Sequence, residues 1–347
     1  MSTVFVTGAS GFIGTRLVAE LLRQGHVVHA LVRRGRIEFP PGFTSGELPD
    51  FNQPNLRLLA ADIRDCDSLR RGMAGCSHVY HLAGYAKNWA PSYEPYLQNN
   101  VHGLCNICSV ARELSVQKIV WTSTMLTFGP TAPGEVGDET RRRDHLPIFT
   151  AYERSKLAAE VEAEKLARDG PPLVIVNPGR VFGPGHLTEG NSLAKVIDLY
   201  DRGKMPFLLG GGRNVGNWVL VDDVVQGLIS AMDHGRSGER YLLGGENLSL
   251  KQFLQLIDEV SGKRHLQITI RRPASMTYAW LHKQRAAWLG IYPQITPEWV
   301  RVFLTDWAYS SAKAQRQLGY QITPLKVAVR RTYEWLLRVR AAGVKVN

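Results

Sequence analysis

In the stretch TAYERSK, Tyr152 and Lys156 stand four apart among good helix formers, which sets a phenol and an ammonium on one helix face. A phenol so placed can exchange a proton with a substrate oxygen, and a nearby ammonium favours its ionised form. A Y-x-x-x-K pair is common by chance, so a partly buried tyrosine beside a solvated lysine is the alternative. A second chemical group is TGASGFIG, where Gly8, Gly11 and Gly14, with Phe12 and Ile13 between the last two, follow a β-rich run directly. Glycines there permit a tight turn, close backbone approach to a pyrophosphate and close helix-to-strand packing. The helix N-terminus offers an anion free N–H groups and a positive dipole end. The spacing G-x-x-G-x-x-G is one residue longer than the commonest dinucleotide fingerprint. A dinucleotide is the expected ligand.

The end of the second strand sets the cofactor's flavour. An acid there binds the ribose 2′-hydroxyl, whereas an arginine accommodates a 2′-phosphate. ALVRRGR has Arg33 and Arg34 and no acid. NADP(H) is expected ahead of NAD(H), the alternative being two solvated arginines on a basic protein.

The elements that must position these groups alternate in type. TVFVTG, HVVHALVRR, NLRLLAADI, SHVYHLAG, QKIVWTST and PLVIVNPGRVFG read as strands. Between them lie helical patterns such as GTRLVAELLRQG, CDSLRRGMAG, NVHGLCNICSVARELS and the Tyr152 helix, and a Gly/Pro-rich loop over 35–54. This rhythm predicts an α/β fold, a doubly wound parallel sheet of Rossmann type with right-handed crossovers. After residue 180 helices dominate, with short strands such as ERYLLGG and HLQITIRR. The expected division is a dinucleotide-binding domain over 1–180, rejoined by part of 215–245, and a smaller, mostly C-terminal substrate lobe over 181–347.

The 347 residues suffice for a sizeable core, and the net charge of +11 favours an anionic ligand or an acidic surface. No long basic tract or aromatic-interleaved basic stripe points to nucleic acid. Cys105 and Cys108 form a C-x-x-C inside an apolar helix pattern with no second ligand pair, so a buried helix face is expected rather than a metal or redox site. No metal is expected. Reduced thiols, a first strand that starts within three residues of Met1 and the lack of a bilayer-long apolar run predict a cytoplasmic protein.

TGASGFIG, AADIRD, HLAG, NNVHG, TSTMLTFG, YERSK, NPGRVFGPG and VLVDDVVQG occur in the order found in extended short-chain dehydrogenases/reductases, the NAD-dependent epimerase/dehydratase superfamily. The chain resembles that family from residue 3 to about 340. The resemblance implies that Tyr152 is the general acid/base and that Lys156 holds the nicotinamide ribose. It implies that Thr124, five residues before the glycine of TSTMLTFG, orients the reacting oxygen, with Ser123 as the fallback. It also implies adenine contacts from Asp62 and Ile63, cofactor lining from Leu82, Ala83, Gly84 and Asn100, and nicotinamide contacts from Pro178 and Val181. Core packing is the alternative for the apolar ones. A lowered Tyr152 pKa is expected from the neighbouring ammonium and the oxidised cofactor.

Epimerases and ketone reductases of this family share these motifs, so the substrate lobe has to separate them. Where epimerases carry a phosphate-gripping arginine followed by aspartate, GGGRNVGNWVLVDD has Gly216 and Asn217, with Arg213 three residues earlier. RGKMPFLLGGGRN, VLVDDVVQGL and LVRR resemble the 3β-hydroxysteroid dehydrogenase and dihydroflavonol 4-reductase branch. The segment MTYAWLHKQRAAWLGIYP carries Met276, Tyr278, Trp280, Leu281, Trp288, Leu289 and Tyr292 at helical spacing. Core packing is the first reading, and a helix over a pocket mouth or on a lipid surface is the second. The expected activity interconverts a ketone and a secondary alcohol on a bulky, largely apolar substrate. The rivals are a nucleotide-sugar epimerase or dehydratase with tightly bound NAD and a non-catalytic NADP(H)-sensing protein. Expected partners are an apolar ketone or alcohol and a second copy in a homodimer, with peripheral membrane contact as a minor alternative.

Overall fold

The computed structural model describes residues 1–33, 35–43 and 46–344. In chain order the first half runs β1 (Thr3–Thr7), α1 (Phe12–Arg23), β2 (Val27–Val32), β3 (Leu56–Ala60), α2 (Cys66–Met73), β4 (His78–His81), α3 (Glu94–Tyr96), α4 (Gly103–Glu113), β5 (Lys118–Thr122), α5 (Ala151–Asp169) and β6 (Leu173–Pro178). A π-helical stretch, Leu97–His102, joins α3 to α4. The second half runs β7 (Arg180–Phe182), α6 (Ser192–Asp201), β8 (Phe207–Leu209), β9 (Val215–Leu220), α7 (Val221–His234), β10 (Arg240–Leu243), β11 (Glu246–Ser249) and α8 (Leu250–Ser261). It closes with β12 (Ile268–Ile270), α9 (Arg272–Leu289), α10 (Pro297–Phe303), α11 (Ala312–Leu318) and α12 (Leu325–Ala341).

Seven parallel strands form the main sheet in the order β10-β6-β5-β4-β1-β2-β3. The runs FVT, VHALV and LVIVNP are buried on both faces, as a parallel sheet between two helix layers requires. One apolar layer joins α1, α7 and α11 to the sheet, and the other joins α2, α4 and α5. The order reverses between β1 and β4, and ligands of such sheets bind beyond the strand ends at that switch point.

ERYLLGG forms β10, which pairs with β6, and α7 packs against β5 and β6, so both lie with the large sheet. The remaining late elements build a second core, in which β7, β9, α6, α8 and α12 enclose Phe182, Trp218, Phe253 and Trp335. Two small sheets, β11-β9-β7 and β12-β8, belong to this side. The helix read from Asn100 starts earlier, at Glu94, because Pro95 sits in its first turn, where a missing N–H costs nothing.

Candidate active site

The glycine turn is held by backbone contacts and by the Thr15 hydroxyl, which donates to Ala9 O at 3.1 Å. Gly11 N–H donates to Gly8 O at 2.9 Å, and a Cβ on Gly14 would lie 2.0 Å from that same oxygen. Gly8 has φ +71°, and a Cβ there would meet Ala83 N at 2.8 Å. The first βα turn thus touches the chain leaving β4. No side chain caps α1 and no acid occupies its first turn, so the N–H groups at Phe12, Ile13 and Gly14 face the switch point with the dipole uncompensated. This cradle fits a pyrophosphate. Thr7 Oγ1 accepts from Ala83 N at 3.1 Å and bonds His81 Nδ1 at 2.7 Å, while Leu82 N donates to Thr7 O. Burial lowers His81 to about 3, so its ring is a neutral brace.

Further along the strand ends, Arg33 is exposed after β2, and Arg34 lies outside the described residues. Asp62 is chelated by Arg64 at 2.9 and 2.7 Å; those hydrogen bonds hold its carboxyl below the usual value, and the Arg33 charge adds to them. Ile63 is buried in the α2–α4–α5 core. Gly84, Asn100 and Lys156 converge: a Cβ on Gly84 would stand 2.9 Å from Asn100 Oδ1 and 3.5 Å from Lys156 Nζ. The Asn100 side chain accepts from Tyr85 N at 2.6 Å and donates to Ser155 Oγ at 2.7 Å, which clamps the β4 exit to α5.

Helix α5 starts with a capping box in which Thr150 and Glu153 satisfy each other's backbone N–H. Arg143 pairs with the buried Glu153 and also donates to Leu126 O, so one guanidinium ties the α5 N-terminus to the turn after β5. Tyr152 follows one residue into that helix. Lys156, one turn on, is buried, and its Nζ donates to Thr122 O at 2.8 Å. Burial lowers its pKa from 10.5 to about 8. Among the protein's own groups burial dominates at Tyr152: it pushes the phenol up to about 12, and the Thr124 side chain opposes it. Thr122 O engages the ammonium instead, and desolvation of the phenolate dominates.

Thr124 and Ser123 now separate. Ser123 Oγ donates to the buried Glu160 at 2.5 Å, and Thr127 and Asn177 donate to the same Oε1 at 2.8 and 2.6 Å. Thr127 and Asn177 also bond Thr124 O, at 2.8 and 3.1 Å. The carboxylate therefore locks the turn that presents the Thr124 hydroxyl to Tyr152. Glu160 was missed in the sequence, although Tyr152, Lys156 and Glu160 recur every four residues on one face of α5.

Beyond the Tyr152 helix, Pro178 is buried at the end of β6 and Val181 packs half-buried against the α1–α7 layer. Arg180, between them, was also missed. Its guanidinium lies 5.2 Å from the Trp218 ring and 4.8 Å from the Phe303 ring, and among the described residues it has no ion pair or hydrogen bond. A Cβ on Gly216 would come within 3.1 Å of that guanidinium, so the glycine makes its room. The small-against-large match across β7 and β9 is invisible until the register is known. Arg213 is exposed. Asn217 is fully buried, where it bonds Gly245, Asn247 and Tyr309. Above this side, α10 sets Trp299 and Val302 beside Tyr152 and Phe303 over Arg180.

Core packing fails for the tryptophan-rich segment. Helix α9, which packs on α10, buries Ser275, Ala279 and Ala286 and turns Tyr278, Trp280, Leu281, Trp288 and Leu289 to solvent. Cys105 and Cys108 lie on α4, where burial pushes the Cys108 thiol up to about 12. Among the described residues no cluster of His, Cys, Asp or Glu is arranged to hold a metal ion.

A sequence profile of the NAD dependent epimerase/dehydratase family matches residues 4–244. A Synechocystis sp. protein that carries the provisional name dihydroflavonol 4-reductase is 31% identical over 337 residues, covering 95% of this chain and 93% of that protein. The 3-beta-hydroxysteroid dehydrogenase of Mycolicibacterium neoaurum is 26% identical over 92% of this chain and 87% of its own. Among solved structures, that of gox2253 superposes with a TM-score of 0.78 at 27% identity, covering 99% of this chain and 100% of the other.

Proposed function

The chain belongs to the NAD dependent epimerase/dehydratase family, and from that premise we propose that this oxidoreductase interconverts a ketone and a secondary alcohol on a bulky, largely apolar substrate. A steroid-, flavonoid- or acyl-ketone-like compound fits that description. The observation that carries the reading is the Thr124–Tyr152 hydroxyl pair, held over the Glu160 lock one turn from Lys156. A phenol pushed up to about 12 is protonated at neutral pH, so it can deliver a proton to a carbonyl oxygen as alkoxide charge develops. The Thr124 hydroxyl orients that oxygen. When bound, the nicotinamide supplies or takes the hydride. Gly8, Gly11, Phe12, Ile13 and Gly14 would hold its pyrophosphate and Lys156 its ribose, with Leu82, Ala83, Gly84, Pro178 and Val181 lining the site. Asp62 and Ile63 would face the adenine, and Asn100 would position the wall of the site. Arg33, exposed and without an ion pair among the described residues, supports a preference for NADP(H). The names of the relatives, a reductase and a dehydrogenase, agree with the reaction class. Four free cysteines suit the cytoplasm.

A second reading, a nucleotide-sugar epimerase or dehydratase, is favoured by one observation. The unpaired Arg180 beside Gly216 offers a diphosphate the partner that the glycine cannot. Calorimetric titration of the cofactor-loaded protein separates the two. The ketone reading expects no saturable binding of uridine or thymidine diphosphate and at least one ligand in a panel of steroid and flavonoid ketones. Micromolar diphosphate binding that disappears in Arg180→Met would promote the epimerase reading.

A further inference from the structure

Helix α9 is built inside out. Trp280, Leu281 and Trp288 are 52, 55 and 82% exposed, and at about 3.6 residues per turn they share the side opposite Ser275, Ala279 and Ala286. Single exposed apolar side chains are ordinary, but a contiguous set is not. Exposed apolar side chains also occur on the strand pair before the helix. Phe207 and Ile268, register partners on β8 and β12, are exposed, as is Leu266 just before them. The platform is braced from behind: Lys283 pairs with Glu298 of α10, and Tyr292 donates to Glu189 at 2.7 Å.

The same stretch is one-sided in charge. Between Glu259 and Glu298 there is no acidic residue, against Lys263, Arg264, Arg271, Arg272, Lys283 and Arg285. The two lysines are paired, with Asp201 and Glu298. The four arginines are exposed, and among the described residues their guanidinium groups have no ion pair or hydrogen bond. Exposed indoles beside free cations match the zone where anionic headgroups meet acyl chains. A second copy would set this cationic face against a like charge, which argues against self-association. Among the described residues no helix is long and apolar enough to cross a membrane, so contact would lie in the interfacial plane.

We propose that α9, with the Arg264–Ile268 segment before it, docks on the surface of an anionic lipid bilayer. Trp280, Leu281 and Trp288 enter the boundary of the acyl chains, and the four arginines meet the phosphates. Flotation of the intact protein with vesicles of equimolar phosphatidylcholine and phosphatidylglycerol tests this, with phosphatidylcholine vesicles as the comparison. Expected are recovery with the anionic vesicles only, a blue shift of tryptophan emission and release by salt. The pair Trp280→Ser and Trp288→Ser, and separately Arg271→Gln with Arg272→Gln and Arg285→Gln, should each weaken binding about tenfold or more. These side chains are exposed, so unchanged thermal melting is expected and checks that the variants fold. Failure of the parent protein to float, or equal flotation of the tryptophan variant, overturns the proposal. A dimer in light scattering that the tryptophan variant returns to monomer would assign the face to a second copy instead.

Discussion

The N-terminal end of α5 and the face of α9 treat their unusual residues in opposite ways. Around Tyr152 and Thr124, the buried Glu153 and Glu160 carboxylates accept from Arg143, Ser123, Thr127 and Asn177, and each bond fixes a piece of backbone. Across the α9 side, four arginines stand without partners and the indoles of Trp280 and Trp288 face outward. A group whose position is tied from several sides is prepared for chemistry at a defined atom. A group left without a partner in a well-formed helix is prepared for something outside the chain. Arg180 stands between the two kinds, without an ion pair among the described residues but held against the Trp218 and Phe303 rings.

That contrast is broken most severely at Tyr152. Tyr152→Phe keeps the ring and removes the hydroxyl with its transferable proton, so turnover should fall by about 10²–10⁴ while cofactor affinity stays near the parent value. Lys156→Ala should weaken both. Steady-state rates beside a cofactor titration distinguish the two, and a Phe variant with substantial activity would refute the assigned role.

Next in size is a swap within one dipeptide. Thr124→Ala removes the hydroxyl that meets the phenol and should cost about 10²–10³ in kcat. Ser123→Ala removes one of the donors to Glu160, and its loss should fall on stability, about 1–3 kcal/mol in urea unfolding. Equal kinetic damage from both would erase the difference between a presented hydroxyl and a tethered one.

A smaller effect is expected at the exposed end of β2. Arg33→Asp should narrow or invert the preference for NADPH over NADH by about tenfold, a charge-assisted phosphate contact being worth about 1.5–3 kcal/mol. Equal affinities in the parent protein would remove the basis for that preference.

The last test reads stability rather than turnover, as a pH trend. Burial lowers Lys156 from 10.5 to about 8, so between those values the folded protein binds fewer protons than the unfolded chain. Stability therefore rises with pH across that window, and the desolvation penalty is complete below it. The parent protein should gain in melting temperature on Lys156→Met as pH climbs from 8 towards 10.5. A constant gap would mean that Lys156 keeps its ordinary pKa in the fold.

Much of this was legible in order and spacing. Strands β1, β2, β5 and β6 of the large sheet are rich in β-branched residues, and the glycine turn and the Tyr152–Lys156 pair are local in sequence, so register is not needed to see them. Arg180 and Gly216 become a pair only when β7 lies against β9. The role of Glu160 rests on donors from two other segments, Ser123 and Thr127 after β5 and Asn177 in β6. Helix α9 misleads because periodicity reports which residues share a face, not which face meets the protein. There the small residues are buried, and the large ones are left outside.

The central claim is net hydride transfer to a ketone with Tyr152 as proton donor, and isotope transfer tests it most directly. The purified protein, given NADPH deuterated at the transferable position and a ketone that binds, should yield an alcohol deuterated at the carbinol carbon. Oxidised cofactor should appear in step with product, and Tyr152→Phe should suppress both. A product without deuterium, formed while the cofactor stays bound and its reduced fraction does not change, would contradict the account.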